Sequence, residues 1–125
     1  MRAFRLVERE LSADVHEILV EGELDLAVAE QLREALDGVG PDCTQVLVGL
    51  ENCEFIDSTG IAVVVQAHHR FAEEGRRVVL YAPTSQVLRV LSVTGLTANG
   101  LVFESAAEAL SASTSNSVLD GQRRA

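Results

Sequence analysis

The sequence predicts a single α/β domain whose mixed β-sheet opens on an antiparallel hairpin, continues through parallel strand-helix crossovers and is packed with about four helices. Three observations carry this. Residues 3 to 10 (AFRLVERE) and 14 to 22 (DVHEILVEG) have strand character and are separated only by Leu11, Ser12 and Ala13, a gap that admits a hairpin and no crossover. Beyond them, segments with a helical apolar period alternate with short apolar runs of strand type. The chain has 125 residues with 47% apolar content, enough to bury one core without disulfides or a metal.

The elements follow in order. In LDLAVAEQLREALDG, Val28, Leu32, Ala35 and Leu36 fall at i, i+4, i+7 and i+8, Asp25 stands at the N-cap position and Gly38 where the helix stops. QVLVGL (45 to 50) is a buried strand, and ENCEF reads as the loop after it. Ser58 to Glu74 is a second helix with Ile61, Val64, Val65, His68 and Ala72 on one stripe, ended by Gly75. RRVVLYA (76 to 82) is a third buried strand, and Pro83 with Thr84 opens a helix carrying Val87, Val90, Leu91 and Thr94 up to Gly95. GLVFE (100 to 104) makes a short last strand, and Ser105 with Glu108 forms a capping box for a short final helix. From Ser111 onward the chain has little to bury, which gives a domain over 1–112 and a flexible tail over 113–125. The patterns do not decide whether helices cover one face of the sheet or both.

This order has a chemical consequence. With the second and third strands parallel, Asp25 and Ser58 emerge at the same carboxyl-end edge, where open α/β sheets place their binding sites. GELDL and FIDSTG then form one patch.

Composition narrows the function. A net charge of -9 argues against nucleic acid, whose phosphates are held by clustered Lys and Arg, and fits a protein partner with a basic face. No apolar run approaches the roughly 20 residues that span a bilayer, so no membrane partner is expected. The start, MRAFRLVERE, carries no apolar leader segment, and a cytoplasmic location is expected. Cys43 and Cys53 cannot complete a zinc site and read as free thiols; no metal and no cofactor are expected.

Enzymatic readings find little support, and no enzyme is expected. No Walker-type loop and no GxGxxG occurs, and the residue two before Ser58 is Ile56, which excludes a nucleophile elbow. His16 lies inside the hairpin and His68 on the apolar stripe, both read as structural, while His69 points about 100 degrees away. A nucleophilic Ser58 paired with Asp25 would lack an oriented base. Taken alone, Ser58 and Asp25 read as helix caps; Asp57 serves equally well as the cap, which would leave the Ser58 hydroxyl free.

EGELDLAVAEQLREAL, then VLVGLENCEFIDSTGIAVVVQAHHRFAEEGRRVVLYAPTSQVLRVLSVTGL, then FESAAEAL, together resemble the anti-sigma factor antagonists, bacterial members of the STAS domain family. The resemblance spans about Phe4 to Leu110. It implies a STAS-type fold and a partner-switching role in transcription, of the kind used in stress response or sporulation. The antagonist binds an anti-sigma factor that is also a serine kinase, freeing a sigma factor; the kinase phosphorylates it and a serine phosphatase reverses this. On that pattern Ser58 is the phosphoacceptor, with Thr59 as runner-up, and Glu23, Asp25, Asp57, Ser58, Thr59 and Gly60 form the partner-binding face. The alternative is a non-switching STAS scaffold or sensor domain that binds protein partners or a small ligand. Cys53 and the acids of ENCEF are not required by the family, and the tail is not a family feature.

Overall fold

The computed structural model describes residues 3–112. Its sheet has five strands in sequential order: β1 (Arg5–Ser12), β2 (Val15–Leu24), β3 (Gln45–Ile56), β4 (Arg77–Tyr81) and β5 (Val102–Phe103). β1 and β2 are antiparallel and every later pair is parallel, the mixed sheet expected from the sequence. Helices α1 (Ala29–Asp37), α2 (Ser58–Glu73) and α3 (Ser85–Val93) connect the parallel strands, and a fourth, α4, occupies residues 106–112.

A sequential strand order joined by right-handed crossovers puts every connecting helix on one face. The main core lies there: Ile18, Val20, Val46, Val48, Val78 and Leu80 of the sheet meet Leu32 and Leu36 of α1, Val64 and Phe71 of α2, and Val87 and Leu91 of α3. The opposite face is covered differently. Leu47, Val79 and Tyr81 pack with Ala106 and Ala109 of α4, which follows the last strand and needs no crossover. Both faces are therefore covered, three helices on one and α4 on part of the other.

Several boundaries differ from expectation, each for a physical reason. β1 runs to Ser12, so the hairpin turns at Ala13 and Asp14, with the Ser12 hydroxyl donating to Asp14 Oδ1 at 2.8 Å. ENCEF is strand: β3 continues to Ile56 beside β2, pairing Gly22 with Cys53 and Leu24 with Ile56 across two irregularities. Those irregularities bury Leu50, Cys53 and Ile56 at a spacing of three, which erases the alternation that marks a strand. α2 is turned from the expected stripe, burying Gly60, Val63, Val64, Ala67 and Phe71. Ser111 lies in α4, and the tail expected over 113–125 falls outside the described residues. The capping contact expected at Ser105 forms, with its Oγ accepting from Glu108 N–H at 3.1 Å.

β1 is an edge strand, and its side chains guard it. Arg5, Glu8, Arg9 and Glu10 line it, and charged side chains of this kind disfavour edge-to-edge pairing with another strand.

Two buried acids of high pKa set the alkaline limit of the fold. Burial, then the hydrogen bond and charge of Glu17, hold the Tyr81 phenol far above its usual range, and burial pushes the Cys53 thiol up. Both keep their protons to higher pH in the folded state than in the unfolded chain, where a cysteine ionises near about 8.5 and a tyrosine near about 10. Above those values the unfolded state binds fewer protons, so stability falls as pH rises. Urea midpoints should decline above about pH 8.5 and more steeply above about pH 10. Tyr81 is the sole tyrosine, so tyrosinate absorbance should appear together with unfolding, and Tyr81→Phe should remove the steeper limb. Tyrosinate forming near pH 10 in a still folded protein would contradict this.

Candidate functional site

The site is built where β2 and β3 end together. Leu24 and Ile56 are the last paired residues of the two strands and both are fully buried, which anchors the two loops that follow. The Asp57 amide donates to the Leu24 carbonyl at 3.2 Å, tying the start of α2 to the end of β2. GELDL and FIDSTG thus meet at one sheet edge, as the parallel pairing requires.

Asp57 organises this junction. It is the N-cap of α2, and its Oδ1 accepts from the amides of Thr59 at 2.9 Å and Gly60 at 3.1 Å. Its Oδ2 accepts from the Leu26 amide in the other loop at 3.1 Å. One carboxylate therefore satisfies two helix-end donors and one loop donor. With the cap supplied by Asp57, the Ser58 hydroxyl is exposed and engages no other described residue.

Asp25 behaves differently from expectation. α1 begins at Ala29 with Val28 at the N-cap and no side-chain cap. Asp25 instead closes the preceding turn: its Oδ1 accepts from Ala27 N–H at 3.1 Å, and its carbonyl accepts from the amides of Val28 at 3.1 Å and Ala29 at 2.9 Å. The inserted turn lifts Leu26 off the surface, where its side chain is 74% exposed.

The remaining residues expected at the site are gathered here with distinct exposures. Glu23 and Thr59 are half-buried, and Gly60 is buried against Leu24 and Ile56, so it shapes the junction rather than presenting a side chain. Leu26 and the partly exposed Phe55, whose Cα pairs with that of Glu23, were not legible as site residues. An apolar residue next to Asp25 and Glu54 gives no sign of pointing outward, because exposure there depends on the turn and on the irregular β3 register.

The histidines lie elsewhere. The Nδ1–H of His68 donates to the Val78 carbonyl at 3.0 Å, and His16 Nε2 lies 3.0 Å from Glu8 Oε1. Among the described residues no cluster of His, Cys, Asp and Glu is suited to hold a metal ion, and no helix is long and apolar enough to cross a membrane.

Known proteins resemble this chain in sequence and in fold. The anti-sigma-B factor antagonist of Listeria monocytogenes is 30% identical over 89 residues, 70% of this chain and 78% of that protein. An anti-sigma factor antagonist from Mycobacterium paratuberculosis has a similar fold, with a TM-score of 0.77 at 22% identity over 88% of this chain and 93% of that one. The Bacillus cell fate determinant SpoIIAA, solved in its phosphorylated form, gives 0.66 at 23% identity over 87% and 97%. Residues 8–103, from the opening hairpin through β5 and with both loops of the junction between them, match the family model described as "Mlab, STAS domain", and the chain belongs to the STAS domain family.

Proposed function

We propose that this protein is an anti-sigma factor antagonist that binds an anti-sigma factor serine kinase when unphosphorylated, frees the sigma factor held there, and is switched off by phosphorylation of Ser58. A serine phosphatase would restore the bare hydroxyl. The observation that carries this reading is the division of labour at the helix start: Asp57 caps α2, which leaves the Ser58 hydroxyl exposed on a rigid strand-end platform. Ser58 is preferred over Thr59, which is half-buried. The similarity to the Listeria antagonist supports the role, and the phosphorylated SpoIIAA of like fold supports a covalent switch.

The chemistry asked of Ser58 is modest. Its oxygen attacks the γ-phosphorus of ATP on the kinase, a new O–P bond forms as the bond to the bridging oxygen of ADP breaks, and the hydroxyl proton leaves to a base of the kinase. The product carries about -1.5 to -2 charge on a face already holding Glu23, Asp25 and Asp57. A partner fitted to the bare hydroxyl then meets bulk, repulsion and desolvation together, and a few kcal/mol of these shifts affinity by orders of magnitude.

Affinity capture from extract of the native cell, with wild type, Ser58→Ala and Ser58→Asp as baits, tests this. One kinase-like protein should come down with wild type and Ser58→Ala, and at least tenfold less of it with Ser58→Asp. Equal recovery by all three baits would reject the switch and leave a constitutive STAS scaffold.

A further inference from the structure

We infer that Asp57 is the positioning residue of the switch: its carboxylate holds Leu26 in place, and phosphorylation of Ser58 releases that hold. The inference rests on the reading of Ser58 as phosphoacceptor. It adds a mechanism by which the modified residue reaches a second loop.

Three hydrogen bonds carry it. Among the donors that the α2 end offers to an anion, the amides of Thr59 and Gly60 are both taken by Asp57 Oδ1. The Leu26 amide, 31 residues away in sequence, is taken by Oδ2 of the same group. A phosphoryl group on Ser58, the first residue of α2, arrives beside these two helix donors with up to twice the charge of the carboxylate that holds them. Two anions then compete for the Thr59 and Gly60 N–H groups, and the phosphate is favoured by its charge and its three acceptor oxygens. The two oxygens of Asp57 belong to one rigid planar carboxylate. Turning Oδ1 away from Thr59 and Gly60 therefore draws Oδ2 away from Leu26.

The consequence falls on a side chain suited to docking. Leu26 is the most exposed large apolar residue near Ser58, held outward with Asp25, Asp57 and Glu23 around it. Such a side chain fits an apolar socket flanked by basic groups. Its loop is otherwise fixed by the turn bonds of Asp25, so loss of the Asp57 contact frees Leu26 without unfolding α1. Phosphorylation thus acts twice, by charge at Ser58 and by loosening an apolar anchor beside it.

Amide hydrogen exchange of the full chain, read by NMR, tests this without any partner. Three proteins are compared: unmodified, carrying phosphoserine at position 58 by genetic incorporation, and Asp57→Asn. In the phosphoprotein the Leu26 amide should exchange at least tenfold faster while Thr59 and Gly60 stay protected by the phosphate. Asp57→Asn keeps a carbonyl oxygen to accept from Thr59 and Gly60 but turns an NH2 toward Leu26, so Leu26 should again exchange at least tenfold faster with α2 unchanged. Leu26 exchange within twofold of the unmodified protein in the phosphoprotein overturns the release, and the same result in Asp57→Asn overturns the hold. Because phosphoserine is installed directly, these outcomes stand apart from the capture experiment, which alone decides whether a kinase partner exists.

Discussion

Gly60→Val is expected to destabilise the domain by about 3 kcal/mol, at the upper end of what overpacking costs. A Cβ at this position would lie 2.8 Å from both Leu24 Cγ and the Leu24 carbonyl oxygen and 3.1 Å from Ile56 Cγ1. None of these has room to retreat: Leu24 and Ile56 are fully buried, and the carbonyl already accepts from the Asp57 amide. The first turn of α2 must therefore lift from the sheet, carrying the Asp57 cap with it. Gly60→Ala has the same contact but regains about 1 kcal/mol of helix propensity, so its net cost should be smaller. Gly40→Ala is the control, since nothing lies within 4 Å of its added methyl, and it should change stability by no more than about 0.5 kcal/mol. Urea denaturation of the three variants decides the matter. A Gly60→Val midpoint equal to that of Gly40→Ala would mean that α2 does not sit as close to β2 as described.

The same glycine explains why α2 was misread by one step around its axis. IAVVVQA is apolar at six of seven positions, so periodicity alone leaves the inward direction open. Contact of the bare Gly60 backbone with Leu24 decides it, and Val63, Val64, Ala67 and Phe71 follow inward while His68 stays half-buried and bonds to Val78. The order of elements and the mixed sheet were legible because hairpin spacing and alternation of helix with strand are local signals. The length of β3 was not, since its last part is held by irregular pairing with β2 alone. At the site, FIDSTG offered two caps, Asp57 or Ser58, and sequence has no means to choose between two side chains that suit one position. The reach of Asp57 to Leu26 was hidden further, because it depends on where the loop after β2 lies. Asp25 looked like a cap and is one, but for a turn placed before α1.

The sheet face away from the site holds the other large expected effect. Glu17 of β2 is 2% exposed and answered from both sides: Arg9 Nε donates to Oε1 at 2.8 Å and the Tyr81 hydroxyl donates to Oε2 at 2.5 Å. Tyr81 stands two strands away and reaches Glu17 across β3 because Gly49 lies between them; a Cβ there would sit 2.7 Å from the phenol oxygen. Tyr81→Phe leaves Oε2 buried with no donor and should cost about 2 to 3 kcal/mol. Glu17→Leu strands the phenol hydroxyl and should cost about 1 to 3 kcal/mol, less whatever the added apolar burial returns. The double variant leaves no orphaned group, since Arg9 is more than half exposed and turns to water. It should therefore lie closer to wild type than Tyr81→Phe does, with a coupling of at least about 1 kcal/mol. Additive losses in the cycle would show that water already reaches Glu17 and that the pair is not closed. Because this network lies on the opposite face from α2, each variant that remains folded should capture the Ser58 partner as wild type does, which separates the stability of the platform from the switch it carries.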